Sequence, residues 1–388
     1  TDAQGNSERL VGAFQPIYLA GYIQDQFTFN DLFFNVGVRF DRFDANQSVL
    51  KDPYTLYPAF TVNELGSTSL AGYEVPASVG GEYVVYVDDL ENPTRIVGYR
   101  NGSTWYDENG ILTANPKNIS DQSGGIKPFL KQPEIENQSL AVTYNESFVD
   151  YSPQWTVSPR VSFQFPISDV AEFFAHYDLL VQRPDPGLNR FDPIDYLQLE
   201  NGSAGFLANP ALKPQKTTDY EIGFRQKLSE NSALKISAFY REMRDMMQTV
   251  SLNEAFPLTY VTYGNQDFGT VKGFTFSYDM RQTGNLRLMA NYTLQFADGS
   301  GSGPNSGANI ARSGQPNLRY ILPLDYDSRH QLVLSIDYRY GEGAFYNGPV
   351  IGNKNILENF GVNFVVNGTS GTPFTRRVQA YSLTAGAS

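Results

Sequence analysis

The sequence has no cysteine and only two histidines, His176 and His330. Disulfide scaffolds, thiolate metal sites and cysteine nucleophiles are therefore excluded. The two histidines lie too far apart for a helical His-x-x-x-His metal site. Charged residues make up only 18% of the chain, and 29 Lys and Arg face 41 Asp and Glu, giving a net charge of −12. That balance does not suit a broad nucleic-acid footprint. There is no GxxxxGK(S/T) phosphate loop and no GxSxG nucleophile elbow. No apolar run approaches the roughly 18 residues of a membrane-spanning helix. A membrane β-barrel stays open as a reading, because its strands alternate and never build such a run.

Aromatic residues are abundant, with 27 Phe, 25 Tyr and 2 Trp, and so are the turn formers, with 34 Gly and 22 Pro. Strands and turns accept these residues better than helices do. Successive side chains of a strand point to opposite faces, so a half-buried strand alternates. Residues 17–29 place Ile17, Leu19, Gly21, Ile23, Phe27 and Phe29 on one face, with Asp25 as the exception. Residues 31–43 set Leu32, Phe34, Val36, Val38 and Phe40 against Asn35, Gly37, Arg39 and Asp41. Segments 154–165, 285–296 and 331–340 repeat the pattern, with less regular versions at 170–181, 217–228, 232–247, 268–282 and 359–368. These ten segments predict an all-β chain with strands longer than the five or six residues of an ordinary globular strand.

The connections carry a second pattern. Short ones at 30, 166–169, 229–231 and 283–284 alternate with long ones at 44–153, 182–216, 248–267 and 297–330. Outer-membrane barrels separate short periplasmic turns from long extracellular loops in this way. The connection at 341–358 breaks the rule, being long where a short turn is due. The apolar, aromatic-rich face suits lipid. The opposite face carries Arg39, Asp41, Arg160, Glu221, Arg225, Arg287, Asp337 and Arg339, which need water or partners and are candidates to line a lumen or touch a plug. Pairing with neighbouring strands explains the same charges more simply. Within 44–153, residues 83–87 and 95–99 predict a hairpin across 88–94. The Gly/Ser-rich stretch 299–308 reads as a mobile segment.

The segment Asn209-Pro210-Ala211-Leu212-Lys213-Pro214-Gln215, followed by Tyr220-Glu221-Ile222-Gly223, resembles the "NPxLKPE…YExG" signature of TonB-dependent outer-membrane transporters, with Gln215 in place of Glu. Further matches are Val36 to Asp41, Ser158-Pro159-Arg160, Tyr263-Gly264-Asn265, Val271-Lys272-Gly273-Phe274 and Ser328-Arg329-His330. The run from Gly361 to Thr375 is similar to the Oar-like subgroup typical of Bacteroidota. The resemblance implies a transmembrane antiparallel barrel in the bacterial outer membrane, of which about ten of an expected 22 or so strands are present, closed by an N-terminal plug. By the same resemblance the protein is not an enzyme. It captures a ligand at extracellular loops for uptake energised through TonB. Its partners are outer-membrane lipid and lipopolysaccharide, its own plug and TonB. No nucleic acid and no cofactor is expected. The whole of 1–388 reads as part of one barrel domain, with the plug outside this chain. Since neither end looks like a natural terminus, the sequence is expected to be a piece of a longer one.

For ligand contact the best candidates are Tyr99, Arg100, Trp105, Tyr106 and Asp107 in the longest loop, where Trp and Tyr offer large stacking faces. Their simpler role is a small core under the hairpin. Asp192, Asp195, Asp325 and Asp327 are acidic enough to raise Ca²⁺, yet no EF-hand-like loop contains them and no metal is expected. The long loop also suits an alternative, a barrel that binds a protein partner in a surface complex. A remote third reading, a small-barrel protease, rests on His330 beside Asp325 and Asp327.

Overall fold

The alternation is realised strand by strand. The computed structural model describes residues 13–114, 116–119, 125–132, 146–201, 205–313 and 320–374. Ten long strands form one antiparallel sheet: β1 (Ile17–Phe29), β2 (Leu32–Asp44), β3 (Gln154–Ser168), β4 (Ala171–Gln182), β5 (Gln215–Ser229), β6 (Ser232–Leu252), β7 (Tyr260–Thr283), β8 (Leu286–Gly299), β9 (His330–Arg339) and β10 (Gly361–Thr369). Each pairs with its sequence neighbours, and the two-residue segment Leu322–Pro323 joins beside β8 as the sheet's eleventh strand. All ten match the strands predicted from alternation. Among the described residues β1 and β10 leave open edges and the sheet does not close.

Register carries the faces across the sheet. Phe27, Phe34, Phe163, Ala175, Ile222, Ala238, Phe274 and Leu294 stand opposite one another from β1 to β8. A one-residue slip anywhere would turn apolar side chains to the polar face. The apolar face is not covered by protein: Phe274 is 50% and Ile222 54% exposed. Aromatics chain along it, from Phe27 to Phe34 at 5.2 Å and from Tyr177 to Tyr220 at 5.1 Å.

Four tight turns, Asn30-Asp31, Asp169-Val170, Glu230-Asn231 and Gly284-Asn285, lie at one end. Asn30 and Gly284 take positive φ there, at 54° and 61°. The long connections leave from the other end, apart from 340–360, which joins β9 to β10 at the tight-turn end. The predicted 248–267 loop is a second exception, since β6 and β7 run on to Leu252 and from Tyr260 and only 253–259 remain as a loop. Residues 247–250 are buried on both faces, so they show no alternation.

Most of the hydrophobic core sits among the loops, with one small cluster, Val271, Ala297 and Leu324, at the sheet. Residues 45–153 contain a five-stranded sheet built from Val84–Val87, Ile96–Asn101, Thr104–Asp107, Leu112–Thr113 and Lys127–Pro128. The expected hairpin is its centre, with Val84 opposite Arg100 and Val85 opposite Tyr99. Leu56, Tyr57, Phe148, Phe191, Tyr196, Leu199 and Tyr260 join this loop to the helix Pro193–Glu200 and to β7. At 299–308, Thr249 donates its N–H and its hydroxyl to Pro304 O, both at 2.7 Å, so the Gly/Ser stretch is fastened to β6.

Candidate ligand surface and lumen face

All eight predicted charges share the polar face with one another. Arg39 pairs with Asp41 at 3.0 Å, and the Tyr18 hydroxyl donates to Asp41. Arg339 lies 3.8 Å from Asp337. Both are pairs along one strand, two residues apart, where pairing between strands was expected. Arg225 reaches across to Glu172 on β4, and Glu221 is held by Lys235 at 3.0 Å with His176 at 3.8 Å. Arg160 stands opposite Asp178, and Arg287 opposite Asp337, without an ion pair within 4.0 Å among the described residues. A cavity of about 540 Å³ lies on this face, lined by Gln24, Asn35, Arg39, Arg160, His176 and Asp178. Elsewhere on the polar face aromatic rings are laid over glycines. The Phe174 ring covers Gly223, with Lys235 at 4.8 Å and Arg225 at 5.5 Å from its centre.

The five loop candidates divide. Tyr99, Arg100 and Trp105 are buried inside the loop's own core, while Tyr106 and Asp107 are half-exposed. Arg100 is only 3% exposed, and its charge is matched by Asp52. Its Nε donates to the Tyr86 hydroxyl at 2.7 Å and Nη1 to Gly102 O at 2.8 Å. Tyr54, Tyr86 and Trp105 stack around the guanidinium at 4.9, 5.8 and 5.5 Å. Burial pushes the Tyr99 phenol up to about 12, as expected for a core tyrosine. Asp107 accepts the N–H groups of Asn109 and Ile111 and shapes the turn that follows. Arg100, Tyr99 and Trp105 thus serve the loop's core, the simpler role their sequence allowed.

The mouth, where the polar face meets the loops, holds a cavity of about 590 Å³ that sequence reasoning did not single out. Arg183, Asp185, Asn189, Met246, Met247 and Ser302 line it. Arg183 lies 4.6 Å over the Tyr18 ring. Asn189 is 1% exposed and its Oδ1 has no hydrogen-bond partner among the described residues. Gln47 binds the backbone at and after Asn189, donating to its carbonyl and accepting from Phe191 N–H at 2.8 Å. A lone Gln in a loop carries no pattern, so nothing in the sequence points to it.

Two of the sequence signatures meet here. Asn209 donates to Tyr263 O at 2.6 Å and accepts from Ala211 N–H at 2.9 Å. Asn265 accepts from Lys213 N–H at 2.9 Å and donates to Lys213 O and Asp245 O, both at 2.8 Å. The Asn-Pro-Ala-Leu-Lys-Pro and Tyr-Gly-Asn segments form one clasp between a long loop and β7.

The family model described as TonB dependent receptor-like, beta-barrel matches residues 5–388. The chain belongs to that family. It is an outer-membrane β-barrel protein, and the family is one of receptors and transporters, not enzymes. No curated protein matches the chain. Among solved structures the receptor is similar to the alcaligin outer-membrane receptor FauA of Bordetella pertussis, at 11% identity over 85% of this chain and 35% of that one, with a TM-score of 0.38. It is similar to the ferric-catecholate import receptor Fiu of Escherichia coli K12 in its closed form, at 16% identity over 84% and 32%, with a TM-score of 0.40. It is also similar to the hemophore receptor HasR of Serratia marcescens, at 12% identity over 84% and 41%, with a TM-score of 0.44. The receptor chain thus spans between 32% and 41% of these proteins' length.

The remaining candidates resolve structurally. Asp192 caps the helix Pro193–Glu200 by accepting from Ile194 N–H. Asp327 is buried, accepts from Ala297 N–H at 2.9 Å and pairs with Arg329 at 3.3 Å. No group of three or more metal-ligating side chains occurs among the described residues. His330 stands on the apolar face opposite Leu294, 2.7 Å from the Tyr292 hydroxyl, the position of an interfacial aromatic pair. No described helix is long and apolar enough to cross a membrane, which bears on helices alone.

Proposed function

We propose that the receptor captures a ligand on its long-loop side and passes it through a plugged barrel by TonB-energised uptake. The long loops lie outside the cell and the tight turns face the periplasm. The carrying observation is the sheet's division of labour: one face apolar across all ten strands, the other charged and cavity-lined, with most of the folded loop structure massed at one end. The half-exposed Tyr106 and Asp107 and the mouth cavity around Arg183 and Asn189 are the ligand-facing groups. The charges of the polar face meet the plug, and the Gly361 to Thr375 pattern supports an Oar-like reading. Thr375 itself lies outside the described residues. The test is depletion of a defined mixture of peptides, glycans and ferric chelates by cells carrying the full-length receptor. One compound should disappear only when TonB is present, and replacing 45–153 by a short turn should stop it. Depletion independent of TonB, or of nothing at all, contradicts the proposal.

One observation favours a second reading. The 45–153 loop has its own sheet and two core clusters of its own, which suits a surface that grips a macromolecule. Stoichiometric co-purification of a partner that is lost on deleting the loop would support it. A single monodisperse barrel would count against it.

A further inference from the structure

The connection between β9 and β10 is long where every other turn at that end has two residues. It is also folded. A short helical turn spans Gly343–Phe345, and a small ladder pairs Val350–Ile351 with Lys354–Asn355. Gly352 and Asn353 close the ladder at φ of 56° and 64°. The Tyr346 hydroxyl donates to Pro349 O at 2.7 Å and accepts from Leu357 N–H at 3.1 Å. Both acids are engaged at the base: Glu358 accepts from Gly343 N–H at 2.6 Å, and Glu342 from Asn359 at 2.9 Å.

This insert is tied to the apolar face. Tyr338 shares that face with Ile336 and Leu334, opposite Leu286 on β8. An aromatic chain continues from it, Tyr338 to Tyr340 at 5.4 Å and Tyr340 to Tyr346 at 6.0 Å. The insert then exposes Phe345 at 85%, Ile351 at 67% and Val350 at 58%. Water is a poor solvent for such a cluster. Lys354, the segment's one cation, stands opposite Ile351.

We propose that residues 341–360 form an interfacial anchor, lying in the lipid of the leaflet at the tight-turn end. The argument for lipid as the occupant is continuity: Tyr346 extends the same aromatic surface that the strands turn to the bilayer. Phe345, Val350 and Ile351 sit in the headgroup–acyl boundary, and Lys354 keeps its ammonium at the phosphates. The proposal rests on the barrel reading, so its test carries a separate control on a strand.

The full-length receptor, with single cysteines at Ile351→Cys, Lys354→Cys and, as control, Phe276→Cys on the apolar face of β7, is labelled with an NBD fluorophore. It is reconstituted in phosphatidylcholine–phosphatidylglycerol vesicles containing lipids spin-labelled near the headgroup or deep in the chain. NBD at Ile351 should emit to the blue and lose about half its fluorescence to the shallow quencher, with Lys354 nearer water. NBD at Phe276 should respond to the deep quencher. If Phe276 responds while Ile351 is unquenched and red-shifted, the insert is in water and the anchor is overturned. If Ile351 is blue-shifted but unquenched, a protein surface covers it, and the anchor is equally overturned. If Phe276 itself is unquenched, the barrel reading fails first.

Discussion

At the scale of single residues, the loop's centre is an ion pair enclosed by aromatic rings. Truncating Arg100 leaves Asp52 charged in a half-closed site, and loss of one partner of a buried pair costs about 3–5 kcal/mol. Arg100→Met should speed amide exchange across Val84–Val87 and Ile96–Asn101, and Asp52→Ala in the same chain should restore part of the protection. Equal protection in Arg100→Met and the parent would remove Arg100 from the core. A second test concerns Asp88. Burial opposes its charge, but hydrogen bonds from Thr94 and from neighbouring N–H groups outweigh that and bring its carboxyl down to about 2 from 3.8. A depressed acid stabilises the fold above its unfolded value and loses that contribution as pH falls through the folded one. The turn at 88–95 should therefore loosen between about pH 4 and pH 2 in NMR titration, and Asp88→Asn should abolish the transition. No difference between the two proteins over that range contradicts the assignment.

At the scale of elements, the Asn clasp makes the sharpest expectation. Asn265→Ala removes three hydrogen bonds at once, each contributing about 1 kcal/mol. Exchange at Lys213 and Ala211 should rise about tenfold or more, while β7 below Phe274 stays protected. Unchanged exchange would mean that the loop is held elsewhere. The ten strands were legible because one face meets lipid and the other does not, and that contrast writes itself as period two. Where the contrast lapses, so does legibility. Met247, Gln248, Thr249 and Val250 are all buried, so the upper ends of β6 and β7 read as a loop. Within 45–153 only the central hairpin was legible, because its other strands have two to four residues and much of the core comes from turns. Arg100 and Trp105 looked like ligand groups for a related reason: aromatic rings around an arginine have the same composition in a binding site and in a folded core.

At the scale of the molecule, two open edges constrain everything else. β1 and β10 each present an unpaired row of backbone groups among the described residues. Hydrocarbon offers such groups no partner, so a membrane-spanning sheet needs both edges paired. The account stands on one claim: the face running through Phe27, Phe163 and Phe274 meets lipid, and the face through Arg160, Glu221 and Arg225 does not. Spin labels on single cysteines at successive positions 273–279 of β7, in the full-length receptor in bilayers, test it directly. Oxygen collision rates should alternate, high at Phe274, Phe276 and Tyr278 and low at Gly273, Thr275, Ser277 and Asp279. A flat profile, or one with the opposite phase, would contradict the account.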